Sequence, residues 1–206
     1  MQLVFPFFLI GLIGILPVYF ISLNHIELNK HFGIEKGKKL GEVLGRISGW
    51  SFFVLLAGLW FAPQKKYQCR DFFDKLAVNI LTANTNILSL VIGLVLFVSA
   101  CVIGIKGVVD LTMKVSETHR PERVIKGGIY ARIRHPQYVA AALAHVGFSI
   151  LLHSLYSIIA TPIVFIVIYV ISKKEEKELL KEFKNEYSSY MCIVPMFFGI
   201  KKKILK

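Results

Sequence analysis

The chain has 206 residues, 55% of them hydrophobic and 18% charged, with a formal net charge of +12 and a mean hydropathy of +0.60. Soluble domains carry about a quarter charged residues; here apolar blocks alternate with charged gaps, which a bilayer selects because each spanning helix needs roughly 20 apolar residues. The basic balance excludes little by itself, but the lysines and arginines flank apolar blocks and form no basic patch interleaved with aromatics, so a nucleic-acid partner is not expected.

The first block, Gln2 to about Leu23, is interrupted by Pro6 and Pro17. It is too long for a secretory signal and has no basic leader, so a spanning helix is expected. Polar sequence from Asn24 to Arg46 holds Lys36, Lys38 and Lys39. The second block, Ile47 to Pro63, has Trp50 and Trp60 near its ends, where interfacial aromatics belong. Polar residues 64–84 precede a third block from about Thr85 to Ile105. After the long polar segment Lys106 to Gln137, the apolar run from Tyr138 to Ser172 exceeds one span at about 1.5 Å per residue. His153 and Ser154 mark its middle and Pro162 follows, which predicts a tight helical hairpin. The charged segment Lys173 to Lys206 closes the chain.

These elements predict an all-α integral membrane bundle of five spans with a C-terminal amphipathic helix. Segments 24–47, 106–137 and 173–206 hold 21 lysines and arginines against 4 in 64–84. That asymmetry predicts an outside N-terminus and a cytoplasmic site. Residues 1–105 form three spans without a signature, and 106–206 carry the chemistry. Cys69, Cys101 and Cys192 are dispersed, and the six histidines show no H-E-x-x-H spacing; neither a disulfide framework nor a metal site is expected.

Two segments hold unusual residues. The third loop reads Val124-Ile-Lys-Gly-Gly-Ile-Tyr-Ala-Arg-Ile-Arg-His-Pro-Gln-Tyr138. Gly127 and Gly128 permit positive φ or close approach to a ligand. Pro136 holds His135 out of helix, so Arg134 and His135 project from a turn ahead of the fourth span. An arginine and a histidine at that depth need a partner or an aqueous cavity. On a helix from Lys173 to Tyr190, Leu180, Phe183, Tyr187 and Tyr190 fall within about 40° of Glu176, and Glu175 borders that face near −100°. Glu176 thus sits among aromatics, while Lys177, Lys181 and Lys184 lie opposite. Arg134, His135 and Glu176 are the candidate catalytic residues; a purely structural ion pair from the glutamates to Arg134 is the alternative.

The pattern G-x-Y-x-x-x-R-H-P-x-Y, an apolar hairpin, then E-E-x-x-L-x-x-x-F-x-x-x-Y-x-x-Y and Val-Pro resembles the membrane methyltransferases. That superfamily includes isoprenylcysteine carboxyl methyltransferases and phospholipid N-methyltransferases. The resemblance covers about residues 106–198 and implies S-adenosylmethionine as methyl donor. Carried over, its cofactor residues are Arg123, Val124, Ile125, Tyr130, His135, Pro136, Gln137, Tyr138 and Glu175. Gly128 of the glycine turn and Tyr187 of the last helix join that group. Glu176 is assigned a supporting role behind Glu175.

Three departures bear on the acceptor. Ala140 and Lys184 stand where the family carries glycine, the latter read as a small change in how the last helix continues. Ile171 stands where prenylcysteine methylases carry the arginine that holds the acceptor carboxylate, and isoleucine makes no charge-assisted bonds. Unless Lys173 or Lys174 reaches that carboxylate, another lipophilic acceptor is expected, small-molecule or lipidated, drawn from the membrane lipids. Two other readings compete: an NADPH-dependent membrane sterol- or lipid-type reductase, with Arg120, Arg123 and Lys126 clamping a 2′-phosphate, and a non-enzymatic transporter or assembly factor.

Overall fold

A computed structural model describes residues 3–67, 77–80, 83–118 and 121–198. Its elements in order are α1 (Val4–Gly14), α2 (Leu16–Leu23), α3 (His25–Phe32), α4 (Ile34–Phe61), β1 (Ala77–Ile80), β2 (Ala83–Asn86), α5 (Ile87–Leu111), α6 (Met113–Thr118), a 3₁₀ turn (Gly128–Ala131), α7 (Pro136–Leu151) and α8 (Leu155–Ile193). Helices dominate, as expected. The one sheet among the described residues is the antiparallel pair β1–β2, in register Ala77↔Asn86 to Ile80↔Ala83.

Four helices are long and apolar enough to cross a bilayer: Val4–Leu23, Ile34–Phe61, Ile87–Leu111 and Leu155–Ile193. The fifth expected span, Pro136–Leu151, has 16 residues, about 24 Å of helix against roughly 30 Å of hydrocarbon. The first span turns at Ile15, between α1 and α2, with Pro17 in the first turn of α2, where its missing N–H costs nothing. α4 starts earlier than its apolar block, at Ile34 rather than Ile47. Its charged first turns extend the helix to about 42 Å, longer than the membrane is thick.

The hairpin turn falls at Leu152 to Ser154, with His153 at φ +49°. Between its arms, His145 is fully buried. Trp60 Nε1 donates to His145 Nδ1 at 3.1 Å, so the other ring nitrogen carries the hydrogen and donates to the Ser157 carbonyl at 3.2 Å. Trp60 also stacks on Phe148 at 4.5 Å. It therefore packs against the hairpin, where its indole N–H has a buried imidazole for a partner.

α5 and α7 pack closely. A Cβ on Gly93 would lie 2.6 Å from Leu151 Cγ, so only glycine permits this approach. The core joins Leu12, Tyr19 and Leu23 of the first span to Phe52, Leu56 and Leu59 of α4 and Val164, Val167, Ile168 and Ile171 of α8. The outer face of α5 leaves Val91, Val95, Val98, Val102 and Ile105 exposed, as a lipid-facing surface requires.

Candidate active site

α8 runs past the membrane-length segment and carries Glu175 and Glu176 on its extension. The helix is not continuous. Lys184 has φ +43° and ψ −118°, which interrupts it, so the last helix does more than continue past Phe183. This conformation suits glycine, and a side chain there is strained. The break folds the final turns back over the 3₁₀ turn. Tyr190 OH donates to the Tyr130 carbonyl at 2.7 Å, and the N–H groups of Arg134 and His135 donate to the carbonyls of Pro195 and Met196 at 3.0 and 3.2 Å.

The 3₁₀ turn is fixed from the other side by α5. Ile129 N–H donates to Asp110 Oδ2 at 2.6 Å, and Tyr130 OH to the Gly107 carbonyl at 3.3 Å. Gly128 has φ +57°, and a Cβ on it would sit 1.9 Å from Asp110 Oδ2. Its role is to let the carboxylate close on the turn.

His135 and Arg134 emerge from this turn toward the two glutamates. Arg134 Nη2 lies 2.8 Å from Glu176 Oε1, with both side chains buried, and Nη1 donates to the Met191 carbonyl at 2.9 Å. His135 bridges the pair: Nδ1 is 3.4 Å from Glu175 Oε2 and Nε2 is 3.3 Å from Glu176 Oε1. Burial alone would push the His135 imidazole down, but hydrogen bonds and charge from both glutamates outweigh it and hold its pKa above the ordinary value. Burial, reinforced by the Glu175 charge, pushes the Tyr130 phenol up, so it stays a neutral donor.

Glu175 has a different set of partners. Tyr138 OH donates to its Oε1 at 2.7 Å, and Tyr19 OH to the same oxygen at 3.3 Å; the two phenol oxygens are 2.5 Å apart. Glu175 faces a cavity of about 840 Å³, counting its open mouth. Of the residues expected at a cofactor, Arg123, Val124, Ile125, Tyr130, His135, Pro136, Gln137, Tyr138, Glu175 and Tyr187 all line that cavity, and Arg134 joins them. Gly128 lines an adjoining depression beside Asp110 that shares Arg123, Val124 and Ile125 with the cavity. Glu176 is absent from the wall and 2% exposed; it lies behind, locked to Arg134.

Sequence reasoning missed part of the wall. Leu23 and His25 come from the N-terminal half, and Glu178, Leu179 and Glu182 from α8. Glu175, Glu178 and Glu182 repeat at i, i+3 and i+7, a helical stripe readable from spacing alone. Tyr19 had no comparable signal. Glu178 is held by Lys174 at 2.8 Å and Lys181 at 2.9 Å. Lys174 also donates to Asn24 at 2.6 Å, so neither of its bonds leads to a second ligand.

A second cavity of about 1220 Å³, counting its open side, abuts the first. It is lined almost wholly by apolar groups of α4, α5 and α7, among them Trp50, Phe53, Phe97 and Ala141. Gln137 and Tyr138 belong to both walls. Ile171 belongs to neither; it is fully buried in the core. Among the described residues no cluster of His, Cys, Asp or Glu could hold a metal ion.

Fold and site together define a helical membrane protein with a polar cavity at the end of its bundle and an apolar one beside it. A family profile described as phospholipid methyltransferase matches residues 82–186. The chain belongs to that family of membrane methyltransferases, related to the isoprenylcysteine carboxyl methyltransferases. No curated protein and no solved structure matches the chain significantly.

Proposed function

We propose that this protein is an S-adenosylmethionine-dependent methyltransferase whose acceptor is lipophilic and enters from the membrane. The observation that carries the reading is the pair of abutting cavities, one walled in part by charged side chains and one almost wholly apolar, sharing only the Gln137–Tyr138 stretch of wall among the residues that line them. When bound, S-adenosylmethionine supplies a methyl group already activated on a sulfonium. The protein's contribution is therefore positioning and exclusion of water more than acid–base work.

The donor set of the polar cavity fits such a cation. Three carboxylates, Glu175, Glu178 and Glu182, line one wall, the charge of Glu178 being matched by Lys174 and Lys181. Arg134 lies in the same wall, but its charge is matched by Glu176. A dinucleotide phosphate would face those carboxylates with several negative charges of its own. Of the three basic groups considered for a phosphate clamp, Lys126 is engaged by Glu186 at 2.8 Å, Arg123 lines the cavity, and Arg120 lies outside the described residues. Arg123 to Ile125, Tyr130 and the His135–Tyr138 turn would hold the donor, with Glu175 at its cationic end. Arg134, His135 and Glu176 keep that turn and helix in register. The basic asymmetry of the loops supports a cytoplasmic mouth and an outside N-terminus, with residues 106–206 as the main catalytic region.

The test is calorimetric titration of the detergent-purified protein with S-adenosylmethionine, S-adenosylhomocysteine and NADPH. Binding of the two methyl-cycle compounds, weakened at least about tenfold in Glu175→Ala and His135→Ala, is expected; one charge-assisted contact accounts for that factor. Binding of neither compound, or equal binding by both variants, refutes the proposal.

A further inference from the structure

The two cavities are joined by a chain of hydroxyls. Tyr19 lines the apolar cavity, Tyr138 lines both, and Glu175 lines the polar one. The oxygens run Tyr19 to Tyr138 at 2.5 Å and Tyr138 to Glu175 at 2.7 Å. Each step is within hydrogen-bond distance, and Tyr19 is 2% exposed. Tyr19 is the first span's contribution to this row, and it lies outside the segment matched by the family.

The other polar groups of the apolar wall are engaged. Gln137 Nε2 donates to Ser116 Oγ at 2.7 Å, and Arg46 lies 3.7 Å from Glu117. Arg46 is the one cation in that wall. Lys173, half exposed, faces Glu176 Oε2 at 3.7 Å, and Lys174 is bonded to Asn24 and Glu178. Position 171, where an acceptor carboxylate would find its arginine, is core isoleucine. Arg46, half exposed and beyond hydrogen-bond distance of Glu117, is thus the one cation of this wall that an acidic headgroup could meet.

Building on the methyl-transfer reading above, we propose that Tyr19, Tyr138 and Glu175 form a proton relay that takes up the proton an acceptor nitrogen or oxygen loses on methylation. In this step the acceptor's nitrogen or oxygen attacks the methyl carbon. The new N–C or O–C bond forms and the C–S bond breaks, with its electron pair going to sulfur. The acceptor's proton passes to the Tyr19 oxygen, the Tyr19 proton to Tyr138, and the Tyr138 proton to Glu175 Oε1. A nucleophile that is already anionic would have no use for this chain. The N-terminal half thus supplies a working group, not only a scaffold.

The experiment uses the full chain in phosphatidylcholine nanodiscs, as wild type, Tyr19→Phe and Tyr138→Phe. Calorimetry first measures S-adenosylhomocysteine binding, then binding of hexadecylamine, 4-dodecylphenol and hexadecanoic acid to protein without donor. Methyl-labelled S-adenosylmethionine is then supplied with each compound in single turnovers. Expected is alkali-stable label in the amine or the phenol. Tyr19→Phe should lower the single-turnover transfer rate roughly a hundredfold at saturating donor and abolish the solvent deuterium effect, while S-adenosylhomocysteine still binds, so that the loss is read in the transfer step and not in donor occupancy. Three results overturn the relay: alkali-labile ester on hexadecanoic acid, transfer by both phenylalanine variants at the wild-type rate, or no transfer to any of the three by protein that binds S-adenosylhomocysteine. Failure of the wild type to bind S-adenosylhomocysteine overturns the cofactor reading instead.

Discussion

Lys184 is the most direct place to test how the site is assembled. Its φ of +43° and ψ of −118° put a Cβ-bearing residue in a region that only glycine enters cheaply, at a cost of about 1–3 kcal/mol. Lys184→Gly removes that strain. It also loosens the unfolded chain, which takes back about 0.5–1 kcal/mol. The side chain is exposed, so little packing is lost. The net effect is a gain of about 1 kcal/mol, which raises Tm by about 2–4 °C for a chain of this size. Lys184→Ala keeps the Cβ and should change stability by less than about 0.5 kcal/mol. Thermal unfolding in detergent, followed by circular dichroism, separates the two. If Lys184→Ala stabilises as much as Lys184→Gly, or if the glycine variant melts lower than wild type, the backbone argument is wrong. The same variant should leave S-adenosylhomocysteine binding intact, because glycine preserves the break that folds Tyr187 and Tyr190 over the cavity.

Three further outcomes are expected. Glu176→Ala strands the Arg134 charge in a buried site, at a cost of about 3–5 kcal/mol, and should lower Tm by roughly 6–20 °C; a change under about 2 °C would show that the pair contributes nothing. Gly128→Ala forces Asp110 off the Ile129 N–H and strains a residue at φ +57°, so cofactor affinity and Tm should fall together, by about 1–3 kcal/mol in stability; wild-type behaviour in both would refute the packing argument. The His135 pKa is raised in the folded protein, so above about pH 6.5 the folded chain keeps a proton that the unfolded chain has lost. Its stabilising contribution is complete below that pH and disappears as pH rises through the folded value. The Tm of wild type should therefore decline across that window relative to His135→Gln, and parallel pH curves for the two would contradict the assignment.

Much of this was legible because membranes and turns impose strong rules. An apolar run too long for one span, with His153 and Ser154 in its middle, can hardly be anything but a hairpin. His135 before Pro136 must leave the helix, and polar groups at that depth must find partners. The register between Glu175 and Glu176 was harder. Adjacent residues lie about 100° apart on a helix, and projection favoured the aromatic face of Glu176, which proves to be the face that locks Arg134. The cavity lies on the neighbouring face, traced by Glu175, Glu178 and Glu182. Lys184 was read as a minor substitution because identity alone does not reveal a dihedral angle. Tyr19 was invisible because its partners, Tyr138 and Glu175, are more than 100 residues away in the chain. The bond from Trp60 was invisible for a similar reason: its partner, His145, belongs to another helix.

The backbone bonds from Arg134 and His135 to Pro195 and Met196 have a consequence for biogenesis. Synthesis delivers the turn well before it delivers the carbonyls that pin it. All the apolar helices can therefore be seated in the bilayer while the cavity still lacks one side. Closure waits for Pro195 and Met196, so the cavity is completed only after the last apolar helix has been made.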